Sequence, residues 1–252
     1  MNLIVSRASK DYVLQVTGGR APQNVIYHAR NGIVALAYAG VDEIGGVATG
    51  RWLAENAAPH LDLGRGLKSL AKALEGAAVR LDSAFDLHVA GWQWSERRSR
   101  PVVAGISKDP GTPEFQMEYL PRHWYLDRGR PGRDGLRGFR FNVSAAPDGY
   151  IGLAQLQRVV QRLRDLSPDD AESVLGGAIR GVAETVEQAG PRRLAILLYP
   201  PQTGRVVVRS MTGADAPWTV GPEGIAVPVT LSGTKNVSLG IYSLSLEGPL
   251  LL

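Results

Sequence analysis

Apolar residues recur at alternate positions in some blocks of this chain and every three to four positions in others, the periods of strand and helix. Leu3–Ser6 and Tyr12–Val16 are short β-branched or aromatic runs separated by the polar Ala8–Asp11, which predicts a hairpin. Val25–Ala29 and Ile33–Tyr38 flank Arg30-Asn31-Gly32, and Asn-Gly between two such runs is the strongest short hairpin signal. After Gly40, Ala48–Ala57 reads as a helix with Thr49 placed to cap it. Leu67–Leu81 reads as a second, carried by Leu67, Leu70, Leu74 and Leu81. Strands are expected at Leu87–Trp94, Val102–Ser107 and Phe115–Leu120, with Phe139–Ser144 a candidate fourth.

Two further helices are predicted from strong patterns. Leu156, Val159, Val160 and Leu163 form one apolar stripe within 150–166. Ser167-Pro168-Asp169-Asp170 then supplies a capping serine, a first-turn proline and acids at the positive end of a helix over 168–190, which stops at Gly190-Pro191. Leu194–Tyr199 and Arg205–Ser210 form another expected hairpin, and the tail from Val220 to Leu252 is expected to add strand. The order strands, two helices, strands, two helices, strands predicts an α+β fold. Two antiparallel sheets flanked by helices, a four-layer αββα sandwich, would bury both helix stripes. No repeat or low-complexity linker divides the chain, so 1–252 is expected to be a single domain.

Composition narrows the function classes. The 252 residues are 44% hydrophobic and 21% charged, ordinary values for a soluble globular chain. No apolar run reaches the roughly 18 residues of a membrane helix, and the N-terminus lacks the pattern of a secretory signal, so a cytoplasmic protein is expected. There is no cysteine, which excludes disulfides, thiolate chemistry and cysteine zinc sites. The net charge is only +4, too little to indicate a nucleic-acid binder. The surplus is concentrated in a basic loop at 122–140, where Arg122, Arg128, Arg130, Arg133, Arg137 and Arg140 face only Asp127 and Asp134 among many glycines. Arg128, Arg130, Arg133 and Arg137 are the candidate anion or nucleic-acid contacts. A solvated loop at a subunit contact accounts for them better, because few aromatics interleave and no RNA motif is spelled.

Leu3-Ile4-Val5, Lys10-Asp11-Tyr12, Val13 through Arg20, Asn24-Val25-Ile26-Tyr27 and Ala35 through Gly40 stand in a specific order. That order resembles the opening of proteasome β subunits and related bacterial peptidases, in the N-terminal-nucleophile (Ntn) hydrolase superfamily. The resemblance implies an Ntn-hydrolase-like sandwich, assembly into a homo-oligomer and helices 150–166 and 168–190 as contact surfaces. It also implies a site in which an N-terminal Thr, Ser or Cys attacks and its own amine is the base. Anchoring on Lys10-Asp11 puts Asn2 at the nucleophile, Gly18 at the family's aspartate and Asn24 at its lysine; Arg20 is retained. A carboxamide cannot attack a carbonyl, and asparagine disfavours methionine removal, so Met1 is expected to stay. Ser6 is a weak alternative nucleophile, since exposing it would shorten the strand that places the site.

Other designs are not spelled. There is no G-x-S-x-G, H-E-x-x-H or Walker loop, and His28, His60, His88 and His123 lack metal spacing. Neither metal nor cofactor is expected, although a Ser/His/Asp site assembled in space cannot be read from sequence. Trp92 and Trp94 fall on one side of a strand, as core, subunit contact or ligand platform. The leading expectation is a catalytically inactive proteasome-like protein acting as an oligomeric scaffold or a regulatory or binding protein, with a protein partner, no membrane and no nucleic acid. The alternatives are an Ntn-type peptidase or amidohydrolase with a displaced nucleophile, and an anion- or nucleic-acid-binding module using the 122–140 arginines.

Overall fold

β1 (Asn2–Ala8) and β2 (Val13–Gly19) pair as an antiparallel hairpin, setting Ile4 opposite Thr17 and Ser6 opposite Gln15. Ser9 holds the turn: its hydroxyl donates to the Tyr12 carbonyl at 2.8 Å and accepts the Tyr12 N–H at 3.0 Å. The computed structural model describes residues 2–9, 11–19, 24–57, 61–78, 84–96, 98–109, 111–112, 114–119, 139–144, 192–210, 219–220, 226–227, 235–239 and 242–247.

Two more hairpins build the second sheet. β3 (Asn24–Ala29) and β4 (Gly32–Ala39) are joined by Arg30 and Asn31, and β7 (Phe85–Ser95) runs into β8 (Arg98–Lys108) in full register. Between them lie the ribbon β5 (Glu43–Ile44) and β6 (Val47–Ala48), then α1 (Thr49–Asn56) and α2 (Leu63–Ala78). Gly45 and Gly46 turn the ribbon with φ of 62° and 80°, the left-handed pair that such a two-residue turn requires. β9 (Gln116–Tyr119) and β10 (Phe139–Ser144) follow, then β11 (Arg192–Leu198) and β12 (Arg205–Ser210). The tail supplies β13 (Thr219–Val220), β14 (Ala226–Val227), β15 (Lys235–Leu239) and β16 (Tyr242–Glu247).

The first sheet has the order β10-β1-β2-β11-β12-β16-β15 and the second β13-β14-β3-β4-β7-β8-β9. They stack with β1 and β2 across β4 and β7. The outer face of the second sheet carries Val25, Tyr27, Val34, Leu36, Val89 and Ile106. It packs against Leu53 of α1 and Leu63, Leu67, Leu70 and Leu74 of α2, all buried. The inner face is different: Ala35, Ala37, Ala39 and Ala90 are small, which leaves room for polar side chains from the facing sheet.

The expected four-layer αββα sandwich of two antiparallel sheets is corrected. The described residues are mostly strand, in two seven-stranded sheets and a two-stranded ribbon, and the two described helices both belong to one face of the second sheet. Nor is the first sheet wholly antiparallel, because β16 lies parallel to β12. The chain leaves β12, contributes β13 and β14 to the other sheet and returns, and a crossover of that kind permits parallel pairing where a tight turn does not. The four-layer expectation leaned on the stripes over 150–166 and 168–190, which lie outside the described residues.

Local expectations shift too. Thr49 is the first residue of α1 rather than its cap: Ala48 holds the cap position, and the Thr49 hydroxyl donates to the Val41 carbonyl at 2.7 Å. The second helix begins at Leu63, not Leu67, since the Asn31 side chain reaches across to accept the Leu63 N–H at 2.7 Å. Among the described residues no helix is long and apolar enough to cross a membrane.

Candidate functional site

Four uncharged polar side chains meet between the sheets, and strand alternation puts them there. Ser6 on β1, Gln15 and Thr17 on β2, and Asn24 at the start of β3 all point into the layer between the sheets, where β4 and β7 carry alanine. Each is at most 5% exposed. The Thr17 hydroxyl donates to Asn24 Oδ1 at 2.6 Å, Asn24 Nδ2 donates to Gln15 Oε1 at 3.0 Å, and Gln15 Nε2 donates to the Ser6 hydroxyl at 3.2 Å. Gln15 Nε2 also lies 3.5 Å from the His88 carbonyl on β7. Donation runs one way along the relay, so each bond polarises the next, and burial raises the cost of breaking any of them.

The sequence-predicted positions are distributed as follows. Asn2 is the first residue of β1 and pairs with Ser144 of β10. Gly18 is paired on both sides, to Leu3 and Arg193, and by alternation belongs to the opposite face from Thr17. It is therefore Thr17, not Gly18, that meets Asn24. Ser6 sits mid-strand, its backbone flanked by Gln15 and Arg140 and its hydroxyl engaged by Gln15. Arg20, Arg128, Arg130, Arg133 and Arg137 lie outside the described residues, as does the 122–140 loop up to Phe139.

A second group lies at the same end of the strands. Asp86 and His88 alternate on β7, with His88 Nε2 3.3 Å from Asp86 Oδ2, and Ser107 of β8 stands opposite Asp86. Asp86, Ser107, Lys108 and Asp109 border an opening of about 260 Å³ beside Ala39 and Gly40. His88 is fully buried. The scattered histidines concealed this pair, although Asp86-Leu87-His88 on a strand is a spacing that brings both side chains to one face. The arrangement is not a nucleophile triad, because the carboxylate rather than the imidazole stands across from the serine. Among the described residues, no group of three or more His, Cys, Asp or Glu could hold a metal ion.

No protein-family model matches the chain, and no curated protein matches it by sequence. Among solved structures it is similar to Anbu from Hyphomicrobium sp. strain MC1, at 10% identity and a TM-score of 0.47, over 79% of this chain and 82% of that one. It is also similar to a Gly-1 mutant of Anbu from the same strain, at 10% identity and a TM-score of 0.44, with the same coverage.

Proposed function

We propose that the chain is a proteasome-like protein without hydrolytic activity at the family position, serving as an oligomeric scaffold or a regulatory or binding protein. The observation that carries inactivity is the Thr17–Asn24 hydrogen bond of 2.6 Å inside an uncharged buried relay. The resemblance asks for an aspartate at Gly18 holding a lysine at Asn24; Gly18 has no side chain, and Asn24 is bonded instead to the neighbouring alcohol of Thr17. Neither group carries the charge that would lower a nucleophile's pKa or stabilise a developing anion. Asn2, at the nucleophile position, offers a carboxamide, and Ser6 is committed within a strand paired on both sides. The scaffold role and the homo-oligomer are readings supported by the proteasome-like order of the sequence.

The test uses the purified full chain, incubated with peptide and amide substrates and with a threonine-directed covalent probe, and read by intact mass. An unmodified mass and no turnover are expected; time-dependent labelling or hydrolysis that survives repurification would overturn inactivity. Native mass spectrometry reads the assembly, where a closed ring or stacked ring is expected and a lone monomer would remove the scaffold reading.

A further inference from the structure

Leu63, Leu67, Leu70 and Leu74 bury one side of α2 against the second sheet, which fixes the direction of its opposite side. That outer side carries Arg65, Lys68 and Lys72, all exposed, at the i, i+3, i+7 spacing that lines side chains along one helix face. The row is about 10 Å long, from the rise of a helix over seven residues. Exposed arginines around it are neutralised within the chain: Arg30 pairs with Asp62 at 2.8 Å and Arg51 with Glu55 at 2.6 Å. Arg65, Lys68 and Lys72 make no ion pair among the described residues; Asp62 before them is taken by Arg30, and Glu75 after them does not pair with Lys72. This charge order works against the helix. Arg65 occupies the first turn, where the positive end of the helix dipole favours an acid, and no acid is present there. Arg65 also repels Lys68, and Lys68 repels Lys72.

Positive charge left over in this form is complementary to a row of acids. A single phosphate cannot span three cations spread along a convex ridge. A bilayer would need apolar side chains beside them, and the exposed neighbours Ser69 and Gly76 offer none. A nucleic acid would gain from aromatic neighbours, which the ridge lacks, and would meet Glu75 at its end. Carboxylates at i, i+4 and i+7 of a second helix, laid antiparallel, fall opposite Lys72, Lys68 and Arg65 in turn. The ridge is open at its far end, where a Cβ on Gly76 would meet no described atom within 4 Å. We propose that the outer face of α2 docks an acidic helical segment of a partner protein. It shares no residue with the buried relay, so it stands whether or not the chain is hydrolytically silent.

The experiment is fluorescence anisotropy of the full chain with a labelled alanine-based helix carrying glutamates at i, i+4 and i+7, against the same composition in scrambled order. Saturable binding weakened by salt is expected, about tenfold tighter for the ordered peptide. Lys68→Glu should abolish it, and a peptide with lysine at i+4 should bind that variant instead. The same substitution turns two like-charge pairs into opposite ones, so the variant should melt no lower than the parent, which separates lost docking from lost folding. Arg51→Gln, an exposed cation off the ridge, should leave binding unchanged. No saturable binding, equal affinity for the scrambled peptide, or binding unchanged by Lys68→Glu would each overturn the proposal. So would tighter binding of an oligouridylate or a phosphatidylserine vesicle than of the peptide. An assembly state that changes with Lys68→Glu in light scattering would give this face to a second copy and overturn it too.

Discussion

The Thr17 hydroxyl and the Asn24 carboxamide, 2.6 Å apart between the two sheets, form the shortest link of a buried relay that contains no charge. Removing either end strands its partner in a layer where water does not reach. Thr17→Val and Asn24→Leu should each cost about 1–3 kcal/mol, the penalty of an unsatisfied buried polar group. Asn24→Lys should cost more, since it buries a cation among neutral groups. Adding Thr17→Asp to Asn24→Lys should recover part of that loss, because the new pair compensates itself. Urea unfolding of the wild type, Thr17→Asp, Asn24→Lys and the double variant closes a double-mutant cycle; strict additivity would show that the two positions are not one unit.

Asn31 joins three elements. Its side chain caps α2 at Leu63, its carbonyl accepts the Trp94 N–H at 2.8 Å, and the neighbouring Arg30 N–H donates to the Leu61 carbonyl at 3.1 Å. Asn31→Ala should therefore destabilise the protein by about 1 kcal/mol, as loss of an N-terminal cap does, with faster hydrogen exchange in the first turn of α2. Arg30→Ala, which removes only an exposed ion pair to Asp62, should stay within about 1 kcal/mol. Equal losses in the two variants would count against the cap.

Sequence pattern located the hairpins well and their chemistry less well. Asn31-Gly32 marked the β3–β4 turn, yet the turn itself is Arg30-Asn31 and Gly32 opens β4. Glycine is needed at 32 for space, as a Cβ there would come within 2.8 Å of Leu63 Cδ2 and 2.9 Å of the Trp92 carbonyl oxygen. The start of α2 was misplaced because its cap comes from residue 31, and no local signal at 62 or 63 announces a partner so distant in sequence. The resemblance singles out Asn24, but as the counterpart of a lysine and not as a member of a neutral relay. Its partner was not legible, because choosing Thr17 over Gly18 depends on which face of β2 turns inward, and a one-residue change of register reverses that. The parallel pairing of β12 with β16 was beyond local reading, since it is decided by where the tail returns.

Tyr27 and Tyr38 should make the fold sensitive to alkali. Burial pushes both phenols from the ordinary value of 10.0 up to about 12; at Tyr38, Asp42 adds to the shift and a hydrogen bond with the Gly50 backbone opposes it. The folded state thus holds these protons after the unfolded chain has released them. Their contribution to stability is complete below pH 10 and is lost as pH rises toward about 12. The melting temperature should fall across that window, and Tyr27→Phe should make the fall shallower. Phenolate absorbance showing all eight tyrosines titrating together near pH 10 in the folded protein would contradict it.

Tyr12 offers the opposite kind of test, a deletion that should not harm. Its side chain is 2% exposed, the Arg7 guanidinium lies 5.2 Å above its ring, and its hydroxyl has no hydrogen-bond partner among the described residues. A buried hydroxyl that gave up water without a replacement works against folding, while the ring still contributes its burial and its contact with the cation. Tyr12→Phe keeps the ring and removes the cost. It should leave stability unchanged or raise it by up to about 1 kcal/mol, whereas Tyr12→Ala should lower it by about 3–5 kcal/mol as for other large aromatic deletions. Denaturant midpoints of the two variants separate these effects, and a Phe variant destabilised by as much as a lost buried hydrogen bond would mean that the hydroxyl is satisfied in solution.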